Sequence, residues 1–137
     1  MRCMNRMARS LSKGVIGINI MFAAKKFAEM VNTAIDEGID LVVAGAGFSR
    51  DIFALGKASG TPVVPIVSSV KLAKISQRLG AAAIVVEGKE AGGHLGTDQS
   101  IKEIIPDIVA ISSTVKILSI VGRYSPVNTR PVSTSPC

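Results

Sequence analysis

Tryptophan is absent from this 137-residue chain, which has four Phe and one Tyr. So few aromatics exclude a base-stacking platform for nucleic acid. The positive charge does not restore that reading. The formal charge is +6, yet residues 14 to 122 carry ten Lys/Arg against ten Asp/Glu. The surplus falls on Arg2, Arg6, Arg9 and Lys13 at the front and Arg123 and Arg130 at the back. No nucleic-acid partner is expected. The two cysteines, Cys3 and Cys137, stand at opposite ends and are spaced neither for a metal nor for a redox pair. Reduced, cytoplasmic thiols are the default expectation. No apolar stretch approaches the roughly 18 to 20 residues that cross a bilayer, so no membrane partner is expected. The length allows one domain and no second.

What the chain does have is repetition. Apolar runs "VIGINI" at 15–20, "DLVVAG" at 40–45, "PVVPIV" at 62–67 and "AAIVVE" at 82–87 start 25, 22 and 20 residues apart. Each precedes a segment of helical period: Phe22 to Glu37, Arg50 to Ser59, Val70 to Leu79, and about Gln99 to Ser112. A fifth run, "VKILSIVG", covers 115–122. Strands that are near-continuous Val/Ile runs are expected to be buried on both faces, as in a parallel sheet. The fold class is therefore α/β, built of four to five βα units.

Gly38, Gly60 and Gly80 are placed to close helices, and Ser69 to cap the helix from Val70. Thr97 or Asp98 is expected to cap the next one, and Pro106 to split it or begin its second half. The opening "MRCMNRMARSLSK" has Arg and Ser and no acid, a composition shared with mitochondrial presequences. The leading reading is an amphipathic helix with Met4, Met7 and Leu11 on one side. From Arg123 the chain turns rich in Pro, Ser and Thr, and 123–137 is expected to be a disordered tail. Two architectures fit the repeats: an open doubly wound sheet, or part of a (β/α)8 barrel, which needs about 250 residues when complete.

In both, chemistry sits at the C-terminal ends of the strands. "GAGFSR" at 45–50 lacks the last glycine of a dinucleotide fingerprint, and no acid ends the next strand to hold a ribose. Gly45 and Ala46 then belong to a plain tight turn or to a turn that lets a flat ligand reach the backbone. Asn19 is unusual in a strand. It is either a turn-stabilising residue or a donor–acceptor pair for a ring edge. Glu87, Glu90, Gly92, Gly93 and His94 crowd one strand end. His94, the only histidine, is either a solvent-exposed loop residue or a base near neutral pH. No second His or Cys completes a metal site there.

"GINIM" at 17–21, "GAG" at 45–47, "PIVSSVKLAK" at 65–74 and above all "VVEGKEAGGHLG" at 85–96 resemble the nitronate monooxygenase family. That family, formerly called 2-nitropropane dioxygenases, also includes FMN-dependent enoyl-acyl carrier protein reductases. The similarity runs from about residue 9 to residue 118, in the same order and spacing. It implies a partial (β/α)8 TIM barrel over 1–122, an FMN-dependent oxidoreductase and a small-molecule substrate: a nitroalkane or nitronate, with an enoyl thioester as the alternative. The resemblance further implies FMN contacts at Asn19, Gly45, Ala46, Glu87, Gly92 and Gly93, and His94 as the base that takes a nitroalkane's α-proton.

Departures from the family pattern are plain. The first barrel strand has no counterpart after Met1, and the expected phosphate loops are replaced by a tail like that following a frameshift. A truncated, catalytically inactive fragment is therefore a further alternative. Its open sheet edges would favour self-association.

Overall fold

The computed structural model describes residues 2–91, 97–111 and 115–119. Helix α1 (Arg2–Leu11) leads into five alternating units: β1 (Gly17–Met21), α2 (Phe27–Asp36), β2 (Leu41–Gly45), α3 (Asp51–Ser59), β3 (Val63–Val67), α4 (Val70–Leu79), β4 (Ala83–Val86), α5 (Ile101–Ile111) and β5 (Lys116–Ser119). The strands form one parallel sheet in the order β1-β2-β3-β4-β5. A doubly wound sheet reverses its strand order at a switch point, whereas a barrel adds strands in sequence. The chain is thus a partial (β/α)8 barrel.

Right-handed crossovers in a sequential sheet put every helix on the same face. The core confirms this. Ile20, Val42, Ala44, Val63, Val67, Ile84 and Val86 pack with Val31 and Ala34 of α2, Ile52 and Phe53 of α3, Ala73 of α4, and Ile101, Ile104 and Ile108 of α5. Side chains alternate along a strand, so Asn19, Val43, Val64, Ile66, Val85 and Leu118 lie on the opposite face. Val64 and Val85 are buried but outside the core cluster. Of the two architectures that fit the repeats, the partial barrel is the one found. Helices cover one side, and the other side is apolar because it is the inside of a barrel wall.

Helix limits follow local chemistry. Gly60 and Gly80, at φ 72° and 89°, end α3 and α4 in the left-handed conformation that costs glycine little. Ser69 caps α4 by accepting the Leu72 N–H at 3.3 Å. Helix α2 starts five residues later than its periodicity predicts, because 22–26 form a turn. Pro106 neither splits nor starts a helix: α5 runs through it. The carbonyl that loses its N–H partner is that of exposed Lys102, within reach of solvent. Among the described residues no helix is long and apolar enough to cross a membrane. The expected tail, 123–137, lies outside the described residues.

Candidate functional site

Parallel strands in sequential register bring the ends of β1 to β4 to one rim. Asn19 pairs with Val43 and Met21 with Gly45, while the Glu87 N–H continues the sheet past β4 by donating to the Val67 carbonyl at 2.9 Å. Ile18 and Ile20 turn towards the helices. Asn19 therefore faces the barrel interior, and it is exposed there. Glu87 is half-buried at the same rim.

The turn after β2 is the most constrained backbone of this region. Ala46 has φ 52°, the only positive value at a non-glycine residue among the described residues, and Gly47 follows at φ 129°. A left-handed alanine costs about 1–2 kcal/mol, so its surroundings must hold it there. Those surroundings are visible. The Gly45 carbonyl accepts the Phe22 N–H at 2.8 Å. A Cβ on Gly47 would lie 2.7 Å from Phe22 Cδ1, and one on Gly45 would lie 2.8 Å from Ile66 Cδ1. Both glycines are demanded by neighbouring side chains, whatever else they do.

All four phenylalanines of the chain support this turn. Phe22 meets Phe27 edge to face with centroids 5.2 Å apart, and Phe48 lies 5.9 Å from Phe53. With Ile52, Ala44 and Pro65 they leave a cavity of only about 10 Å³. The floor under the turn is solid, so a ligand would sit on it and not beneath it. The sequence did carry a signal for this cluster: in each of the first two βα units, two Phe stand five residues apart just past the strand.

The serines and acids divide by role. Ser69 is engaged as the cap of α4. Glu90, grouped by sequence with the histidine, is engaged elsewhere. Its carboxylate accepts the Ser100 hydroxyl and, at 3.0 Å, the Ile101 N–H at the start of α5. These bonds, the Ser100 contact first, hold its pKa below the usual carboxylate range. Ser100 in turn donates its N–H to Glu103 at 2.9 Å. Helix α5 is thus capped by Ser100, Glu103 and Glu90, which corrects the expected cap at Thr97 or Asp98. The Thr97 hydroxyl accepts the Gln99 N–H in the turn before the helix. Gly92, Gly93 and His94 lie outside the described residues.

Comparison with known proteins follows the same lines. A family model described as nitronate monooxygenase matches residues 2–121. A relative from Rhodococcus jostii (strain RHA1), (3aS,4S,5R,7aS)-5-hydroxy-7a-methyl-1-oxo-octahydro-1H-indene-4-carboxyl-CoA dehydrogenase, is 30% identical over 88 residues, covering 64% of this chain and 25% of its own. FabK from Thermotoga maritima superposes with a TM-score of 0.81 at 27% identity, over 86% of this chain and 37% of that one. Nitroalkane oxidase from Streptomyces ansochromogenes matches in fold alone, with a TM-score of 0.66 at 16% identity over 83% of this chain and 45% of its own. The chain therefore spans less than half the length of each of these relatives.

Proposed function

We propose, because the chain belongs to the nitronate monooxygenase family, that it supplies the ring-binding part of an FMN-dependent oxidoreductase acting on nitroalkanes or nitronates. The observation that carries this reading is the rim itself. The family's expected flavin contacts Asn19, Gly45, Ala46 and Glu87 come from three different strand ends and meet at one edge of the sheet. Their chemistry suits a flat, polar-edged ring. Asn19 offers a donor and an acceptor towards the barrel interior. The Gly45–Gly47 turn presents backbone with little side chain over a packed aromatic floor.

Bound FMN would supply the electron acceptance that none of these side chains provides. Gly92 and Gly93 would let the chain pass close to the ring, and His94 would take the substrate's α-proton. In a (β/α)8 barrel the phosphate is held by the loops after strands seven and eight, beyond the five strands described here. The likeness to FabK supports a second reading, in which the same rim serves an FMN-dependent enoyl-acyl carrier protein reductase.

The test is flavin retention. Purified protein incubated with FMN and desalted should keep the flavin's visible absorbance, weakened by Asn19→Ala and unchanged by His94→Ala. A colourless protein would overturn the proposal and leave the inactive-fragment reading. If flavin is retained, oxygen uptake with a nitroalkane supports the first activity. Enoyl-thioester-dependent oxidation of reduced nicotinamide supports the second.

A further inference from the structure

Met21 is an apolar side chain that the core does not use. It stands outside the core cluster and the partly buried residues packed against it, and it takes no part in the two phenylalanine pairs under the β2 turn. Its backbone is nevertheless held on both sides. Met21 lies opposite Gly45 in the ladder, its carbonyl accepts the Ala24 N–H at 3.0 Å, and the next N–H, that of Phe22, donates to the Gly45 carbonyl at 2.8 Å. Ile20 is buried on the helix side at 2% exposure, so alternation sends the Met21 side chain to the barrel interior, where it is 45% exposed. Its neighbours on that face are the expected flavin contacts. Asn19 stands two positions back, about 7 Å away, and Gly45 about 5 Å across the ladder. Gly45 brings no side chain, and Ile66 leans into the space that a Cβ would take. Ile66 and its register partner Val85 are half-buried and buried, which leaves Met21 as the open member of this group.

We infer that Met21 is a flavin-facing residue, whose thioether packs against the ring system in the corner between Asn19 and Gly45. The inference rests on the reading that this rim binds FMN. A flat ring that touches both Asn19 and the backbone at Gly45 and Ala46 must pass the position between them, and that position belongs to Met21. The side chain suits the task. It is unbranched and polarisable, it makes favourable contacts with aromatic rings, and its three torsions let it follow a ring whose orientation other groups decide. Asn19 then supplies the hydrogen bonds and Met21 the apolar contact, the division of labour usual in small-molecule sites.

Methionine oxidation of the unaltered protein tests this. Met4, Met7 and Met21 are exposed at 69%, 51% and 45%. The first two lie on α1, which docks on Glu37 and Asp40 at the end of the sheet opposite the rim, so they serve as controls. Dilute hydrogen peroxide gives one oxygen to each accessible sulfur and is itself reduced to water. The reaction is run in the dark on dilute protein, with and without saturating FMN, and the sulfoxides are located by peptide mass spectrometry. FMN should slow oxidation at Met21 and leave Met4 and Met7 unchanged. In an absorbance titration Met21→Ala should raise the Kd for FMN about two- to tenfold, the worth of one sulfur–aromatic contact, and Met21→Leu should recover part of the loss. Prior oxidation should weaken FMN binding by the wild type and spare Met21→Leu. Retained flavin with Met21 oxidised as fast as before would overturn the inference and leave the proposed function standing. So would a Met21 already protected without FMN, because protein would then cover it. A protein that retains no flavin overturns both, and its absorbance tells that case from the other two.

Discussion

Ser76 on α4 is fully buried, and its hydroxyl has no hydrogen-bond partner. A buried, unsatisfied donor costs stability, and removing it leaves an apolar surface that its neighbours can pack against. Ser76→Ala should therefore stabilise the fold by up to about 1 kcal/mol, read as a higher urea midpoint with unchanged slope. Gly88→Ala should do the opposite. Its new Cβ would meet Glu90 Oε2 at 2.6 Å and also backbone atoms of Ile101 at 2.5 and 2.9 Å that cannot swing aside, and a loss of about 1–3 kcal/mol is expected from overpacking, measured in the same titration. Single residues were only partly legible in the sequence. Asn19 stood out because a strand normally excludes it. Gly45 was noticed, but its closeness to Ile66 was not, because that side chain comes from another strand 21 positions on. Glu90 was grouped with His94 because the two stand four positions apart in the sequence, while its partners, Ser100 and Ile101, stand ten and eleven positions on.

At the scale of elements, α1 reverses the usual arrangement. The stripe of Met4, Met7 and Leu11, correctly read as one side of a helix, faces outward with exposures of 69%, 51% and 81%. The arginine side does the docking. Arg6 grips Glu37 at 2.6 and 2.8 Å, Arg2 reaches the same carboxylate at 3.2 Å, and Arg9 holds Asp40 at 2.8 Å and the Gly38 carbonyl at 3.1 Å. Charge attraction in solvent is weak and screened, so α1 should loosen in high salt before the sheet does. Acid should act the same way. The Glu37 pKa is lowered chiefly by its bond to Arg6, and that of Asp40 chiefly by the Ile16 N–H and then by Arg9. Depressed carboxylates stabilise docking above their unfolded pKa values of about 4, and that help fades as pH falls through the lower folded values. Amide exchange in α1, compared with β3 and β4, should rise selectively in molar salt or mild acid, and Glu37→Gln should reproduce the effect at neutral pH. Uniform loss across the sheet would refute this. No reading of sequence alone could have chosen the docking side, because the acids that receive the arginines lie on the next βα unit.

At the scale of the molecule the βα repeat was legible, since Val/Ile runs at regular intervals permit few other folds. Which sheet faces are covered was not. A barrel interior is as apolar as a helix-covered face, so neither shows the polar alternation that would tell them apart. The uncovered face and the outer edges of β1 and β5 carry Met21 and Leu118, 45% and 54% exposed. We expect self-association there, seen as sedimentation that quickens with concentration. Leu118→Lys should weaken it roughly tenfold or more, since an unpaired charge would have to be buried. Concentration-independent monomers would refute it.

The strand order has one more consequence. Among the described residues each strand pairs with the unit made just before or just after it, so none of these pairings must wait for a distant piece of chain to arrive. Folding can then proceed as the chain is synthesised, one βα unit settling on the last. Unfolding should run the other way, fraying from either end of the row towards β3, much as a repeat array loses its terminal members first.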